Sequence, residues 1–183
     1  MRLFAALPLP ASARREFARM LAELRGADWP VRWVRDDLAH VTLKFYGEVL
    51  PDRRAVIEEA LTQAVAGTGP MMLRFDTLGA FPTFRRPRVV WLGLEAPPAL
   101  ELLKDRVERA AEGIGFAPEG VPFKAHVTLG RVREGQRLPP GALEQWPAAP
   151  FEPFMVEQAV LYESTLTPQG AEYAQRLTIP LAT

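Results

Sequence analysis

The four residues His40-Val41-Thr42-Leu43 recur as His126-Val127-Thr128-Leu129, and the chain has no other histidine. At ordinary residue frequencies, a second histidine is followed by the same three residues about once in a few thousand cases. Internal duplication is therefore a better account of the match than chance. Each copy also limits its own conformation. Val and Thr are β-branched and favour strands. A strand sends alternate side chains to opposite faces. His40 then shares a face with Thr42, and His126 with Thr128. Val41, Leu43, Val127 and Leu129 point the other way, into a core.

The two histidines lie 126 − 40 = 86 positions apart. The same offset lays Leu3-Phe4-Ala5-Ala6 on Val89-Val90-Trp91-Leu92, the first helical stretch on the third, and Phe75 on Leu161. Strands are expected over 2–7, 31–34, 40–46, 71–78, 88–94, 124–132, 155–162 and 172–179. Helices are expected over 12–25, where Phe17, Met20, Leu21 and Leu24 fall at helical spacing, over about 51–65, and from Pro97-Pro98 to about residue 114. Gly79 to Pro87 reads as a loop. Residues 133–150 read as a Pro- and Gly-rich connection with a short helix at 142–146. The duplication implies two copies of strand–helix–motif strand–helix–strand, with halves at about 1–80 and 87–165. Pseudo-twofold symmetry would set the two motif strands across one central cleft.

Such a cleft would surround a small anion with two imidazoles and two hydroxyls. Histidine titrates near neutrality, so one ring can be neutral while the other is protonated. That pairing suits general base and general acid catalysis at a phosphodiester. Hydroxyls can hold the charged oxygens on phosphorus.

The paired His-x-Thr-x phrases resemble those of the 2H phosphoesterase superfamily. The flanking words, His40 to Val49 (HVTLKFYGEV) and Pro122 to Val132 (PFKAHVTLGRV), are similar to its RNA 2',3'-cyclic phosphodiesterase, or 2'-5' RNA ligase-like, branch. The resemblance covers nearly the whole chain. It implies an α+β fold of two interleaved, pseudo-symmetric lobes in one domain over 1–183, antiparallel sheets lining the cleft and helices outside. It also implies a metal-independent opening of RNA-terminal 2',3'-cyclic phosphate to a 2'-phosphate. His40 would be general acid and His126 general base, with Thr42 and Thr128 on the phosphate. Reversible, ATP-independent 2'-5' ligation would be a further activity. A small cyclic nucleotide as substrate, or an RNA- or nucleotide-binding module without catalysis, are the alternatives.

Strand alternation adds candidate substrate contacts. Lys44 and Tyr46 should share the His40 face, and Lys124 the His126 face. Arg131 falls by simple alternation on the core face; a bulge at Gly130 would turn it back to the cleft. The stretch Phe81 to Arg88 interleaves aromatics with arginines, as single-stranded RNA contacts do, and Phe84 is favoured over Phe81 as a base platform. Trp33, Trp91 and Trp146 read as packing residues.

Composition closes other routes. There is no cysteine, hence no disulfide, thiolate metal site or cysteine nucleophile. Two histidines without a clustered carboxylate set give no catalytic metal site, so no cofactor is expected. Lys and Arg total 22 against 22 for Asp and Glu, which argues against a nonspecific DNA coat. The apolar start is interrupted by Pro8 and Pro10 and reads as a first strand, not a signal peptide. A cytoplasmic protein without membrane spans is expected, with nothing that demands more than a monomer.

Overall fold

The computed structural model describes residues 1–146 and 150–183. Residues 147–149, part of the connection read at 133–150, lie outside the described residues. The order is β1 (Arg2–Pro8), α1 (Ala11–Arg25), β2 (Val31–Trp33), β3 (His40–Glu48), α2 (Arg54–Val65), β4 (Met71–Pro82), β5 (Pro87–Glu95), α3 (Pro98–Gly113), β6 (His126–Val132), β7 (Phe154–Val156), β8 (Gln158–Thr167) and β9 (Gly170–Pro180). α1 and α3 begin directly after Pro10 and Pro97, where a fixed φ and a missing N–H cost a first helical turn nothing.

All strand pairs are antiparallel. One sheet has the order β3-β1-β8-β9 and the other β2-β6-β5-β4-β7. Each sheet takes strands from both halves of the sequence. β8 of the second half pairs with β1, and β4 of the first half pairs with β5. The helices cross over as well. α1 follows a strand of the first sheet but puts Phe17 on Phe75 of β4, in the second. α3 follows β5 of the second sheet and packs on β3 of the first. Helices cover the outer faces, the inner faces line the cleft, and the outer faces share one core from Leu3 to Leu181.

Three expectations need correction. Residues 79–82 are not loop: β4 runs on to Pro82, kinked by an irregularity between Phe75 and Leu78. The strand expected over 155–162 is two strands, β7 and β8, and the chain changes sheet at Glu157. Residues 142–146 form turns, not a helix. Gly79 and Ala80 read as turn residues but are paired in β4, and Val156-Glu157-Gln158-Ala159 has no Gly or Pro to mark a break, so local pattern alone could not find these boundaries.

A bulge in each motif strand fixes what faces the cleft. In β3, Ala6 pairs with Thr42 but Ala5 pairs with Lys44, so Leu43 is the extra residue. In β6, Trp91 pairs with Thr128 but Val90 pairs with Gly130, so Leu129 is the extra residue. The bulge follows the Thr in both copies. It also corrects the repeat: Ala6 is equivalent to Trp91, an offset of 85 and not 86, and a one-residue slip swaps the faces of a whole strand.

The first bulge turns Lys44 into the core. It is 2% exposed, and its ammonium donates to Glu108 at 2.9 Å and to the Ala117 carbonyl at 2.7 Å. Lys104, 4% exposed, also pairs with Glu108, and with Glu119 at 3.1 Å. Burial pushes the Glu108 carboxyl up, but hydrogen bonds and charge from Lys104 and Lys44 outweigh this and leave it below its ordinary value. A carboxyl lowered by folding stabilises fully above its unfolded pKa and loses that contribution as pH falls through the folded value. Glu108→Gln should therefore lower unfolding stability by about 3 kcal/mol near neutral pH. In acid-to-neutral denaturant titrations the gap between variant and wild type should narrow as pH falls through the carboxylate range; a constant gap would remove the ion-pair account.

Candidate active site

His40 opens β3 and His126 opens β6. The His40 Nδ1 lies 2.7 Å from the Leu38 carbonyl oxygen, and the His126 Nδ1 lies 2.6 Å from that of Lys124. A carbonyl only accepts, so Nδ1 carries the proton and donates in both rings. Each neutral ring then keeps its lone pair on Nε2. The same i−2 contact in both copies is a direct product of the duplication.

The two rings share a region of space. β3 and β6 lie beside one another. The charge of His126 lowers the proton affinity of His40, after the larger effect of burial, while the Leu38 carbonyl raises it. His126 is also lowered, chiefly by burial; the Lys124 carbonyl and Glu119 act upward and the Lys124 ammonium acts downward. Burial thus holds both imidazoles toward the neutral form. An anionic phosphate between them would supply the counter-charge for one proton.

Aromatic rings wall in each imidazole. Phe4 stands 5.0 Å and Tyr173 5.6 Å from His40, ring centre to ring centre, with Tyr162 at 6.4 Å. Phe81 meets His126 edge-on at 5.0 Å, and Trp91 lies at 5.8 Å. Phe4, Tyr162 and Tyr173 were missed, Trp91 was read as packing, and Phe81 was ranked below Phe84 as a base platform. Their signal was present in part: Phe4 and Trp91 lie on strands that neighbour the motif strands, but the offset of 86 assigned them unequal faces. Tyr162 and Tyr173 gave no local signal, because only tertiary pairing brings β8, and β9 after it, alongside β1.

The other sequence candidates separate cleanly. Thr42 and Thr128 are half-buried on the histidine faces. Lys124 is exposed, with its ammonium 5.8 Å from the centre of the Trp91 ring. Arg131 faces the cleft because the Leu129 bulge turns it there, and its charge reaches Tyr173 of the opposite sheet. Lys44 and Tyr46 do not face the cleft. Tyr46 is in the core against Phe116, where burial raises its phenol well above the ordinary value. Phe45 takes the cleft position that alternation gave to its neighbours; it is 55% exposed and 5.8 Å from Phe4. Phe84, 49% exposed, lines a cavity with Met20, Leu78 and Leu92 on the outer face of the sheet, so Phe81 and not Phe84 stands at the histidine.

These features define a two-lobed α+β protein whose duplicated halves each present one imidazole and one hydroxyl to a shared cleft. The pattern describing the family "LigT like Phosphoesterase" matches residues 7–91 and again 92–173, and the chain belongs to that family. It is 34% identical over 173 residues to the RNA 2',3'-cyclic phosphodiesterase of Archaeoglobus fulgidus, covering 94% of this chain and 96% of that one. With the enzyme of the same name from Aeropyrum pernix it shares 35% identity over 159 residues, 85% of this chain and 89% of the other. Among solved structures, TT0787 of Thermus thermophilus superposes with a TM-score of 0.84 at 26% identity, covering 99% and 98% of the two chains. E. coli LigT complexed with 3'-AMP gives 0.78 at 26% identity, covering 100% and 98%.

Trp91 reaches its place because Gly79, its partner on β4, has no side chain; a Cβ at residue 79 would run into the indole ring. Gly79→Ala should cost about 1–3 kcal/mol of stability, readable by thermal or denaturant melts. An unchanged midpoint would mean that the indole does not lie flat on Gly79.

Proposed function

We propose that the protein is a metal-independent phosphodiesterase that opens the 2',3'-cyclic phosphate at the end of an RNA strand. The observation that carries this reading is the matched pair of imidazoles, each held by its own backbone carbonyl with Nε2 left for a ligand. The names of the relatives and the 3'-AMP bound to E. coli LigT support the same substrate class.

In this reading His126, neutral, takes a proton from water as the water oxygen bonds to phosphorus. The bond from phosphorus to O3' breaks, and His40, protonated when the anion is bound, gives its proton to O3'. The product is a 2'-phosphomonoester, with one water consumed and the proton count balanced. Thr42 and Thr128 hold the non-bridging oxygens, and Lys124 and Arg131 offset their charge. The same ring opening with a 5'-hydroxyl in place of water would join two ends through a 2'-5' phosphodiester, with O3' again taking the proton and no ATP used. The aromatic walls exclude competing water and offer a sugar or base a surface on which to stack.

Incubation with an oligonucleotide ending in a 2',3'-cyclic phosphate, in chelator, tests the activity, and phosphorus NMR distinguishes a 2'- from a 3'-phosphate product. His40→Ala and His126→Ala should each reduce kcat by about 10²–10⁴-fold, with product binding retained. Near-normal turnover by either variant would remove the mechanism. The pH profile is a separate check. The base must be neutral and the acid protonated, and burial lowers both rings from the ordinary 6.5. The bell of kcat/KM, which reports the free enzyme, should therefore be centred below that value. A centre above it would contradict the burial account.

A further inference from the structure

A short row of residues crosses the inner face of the second sheet and leads from the histidine to the rim. Arg32 of β2 pairs directly with Arg131 of β6, Arg131 with Val89 of β5, and Val89 with Phe81 of β4. Phe81 is the ring that meets His126. Val31 and Val132, the next pair along, are buried on the outer face, so the two arginines share the cleft face. β2 is the edge strand, so the row ends in the open.

Two arginines directly opposite each other destabilise a sheet pair unless something neutralises them. Among the described residues neither makes an ion pair. The three residues outside that set are Pro147, Ala148 and Ala149, which carry no carboxylate. Both arginines are exposed. Guanidinium groups bind phosphate through paired, charge-assisted hydrogen bonds. Arg131 sits about 7 Å along the strand from Thr128, and Arg32 about 5 Å further out on the neighbouring strand.

We propose that Arg32 and Arg131 form a second anion subsite, which takes the internucleotide phosphate upstream of the terminal nucleotide of an RNA strand. Arg131 faces both the reacting phosphate and the next one; Arg32 serves the next one alone. The subsite gives the cleft a preference for RNA ends over cyclic mononucleotides, which have no upstream phosphate. The edge position of β2 leaves the rest of the strand free to run into solvent. This inference rests on the RNA-end reading above.

The test compares kcat/KM for a short oligonucleotide ending in 2',3'-cyclic phosphate with that for the 2',3'-cyclic mononucleotide of the same base. Arg32→Ala should lower the oligonucleotide-to-mononucleotide ratio about tenfold, the worth of one charge-assisted contact. It should also reduce the salt dependence of oligonucleotide KM, with the log–log slope falling by about 0.7. Arg32→Lys should restore most of that slope and part of the ratio. An unchanged ratio, or an equal loss with both substrates, would overturn the subsite. Fluorescence anisotropy with a labelled 2'-phosphate-ended oligonucleotide gives an arm independent of turnover. There Arg32→Ala should weaken binding about tenfold at fixed salt, and equal affinities would overturn the proposal. A wild-type protein that leaves cyclic ends intact yet loses oligonucleotide affinity in Arg32→Ala would refute the enzymatic reading and keep the subsite.

Discussion

The bulge that follows the Thr of each motif strand governs what the cleft contains. Without the bulges at Leu43 and Leu129, strict alternation would place Lys44 and Tyr46 beside His40, and Arg131 in the core. With them, the register reverses just after each Thr. The His and Thr stay on the cleft face, and the next inward-facing residue is Phe45 in one strand and Arg131 in the other. A bulge adds local twist and bends a strand. It is tolerated here because the displaced side chains find partners: Leu43 and Leu129 are fully buried in the core. Gly130 is required for a related reason, since a Cβ there would lie 2.5 Å from Val31 and 2.8 Å from the Arg32 carbonyl oxygen.

Once Lys44 is turned inward, its charge has to be neutralised. Glu108 supplies that, and the same carboxylate also neutralises Lys104, which in turn reaches Glu119. A buried ammonium without such a partner is costly. The chain of contacts runs from one motif strand, through α3, to the segment that leads into the other. Glu119 acts on His126 through its charge as well. The outer side of the cleft is thus a structural ion network, and the inner side is aromatic and basic. Burial by the aromatic walls depresses both histidines; under the proposed mechanism, the acid's proton would come with the anionic substrate.

The duplication explains the matched motifs, and the exchange of strands ties the two halves into one fold. β4 completes the sheet of the second half, and β8 and β9 complete that of the first. His40 accordingly has Tyr162 and Tyr173 as neighbours, from the far end of the chain, and His126 has Phe81, from the first half. Each imidazole is oriented by its own half and enclosed by both, with Phe4 beside His40 and Trp91 beside His126 completing the walls. The two halves diverge where symmetry has no hold on them: Phe45 and Arg131 occupy equivalent places, and one cleft wall is apolar where the other is cationic.

The duplication, the strand character of both motifs and the pairing of His with Thr on one face were readable from the residues, because local periodicity and an exact repeat are properties of short stretches. The α+β class and the helical stripe of Phe17, Met20, Leu21 and Leu24 were readable for the same reason, and all four are buried. The fates of Lys44, Tyr46, Phe84 and Arg131 were not. Lys44, Tyr46 and Arg131 depend on a register set by cross-strand hydrogen bonds, and a bulge leaves no mark in hydrophobic alternation; Phe84 depends on how the connection between β4 and β5 folds. The aromatic walls, the sheet change at Glu157 and the arginine pair belong to the tertiary structure alone. They arise only when residues tens of positions apart are placed opposite one another, and no local pattern encodes which strands will meet.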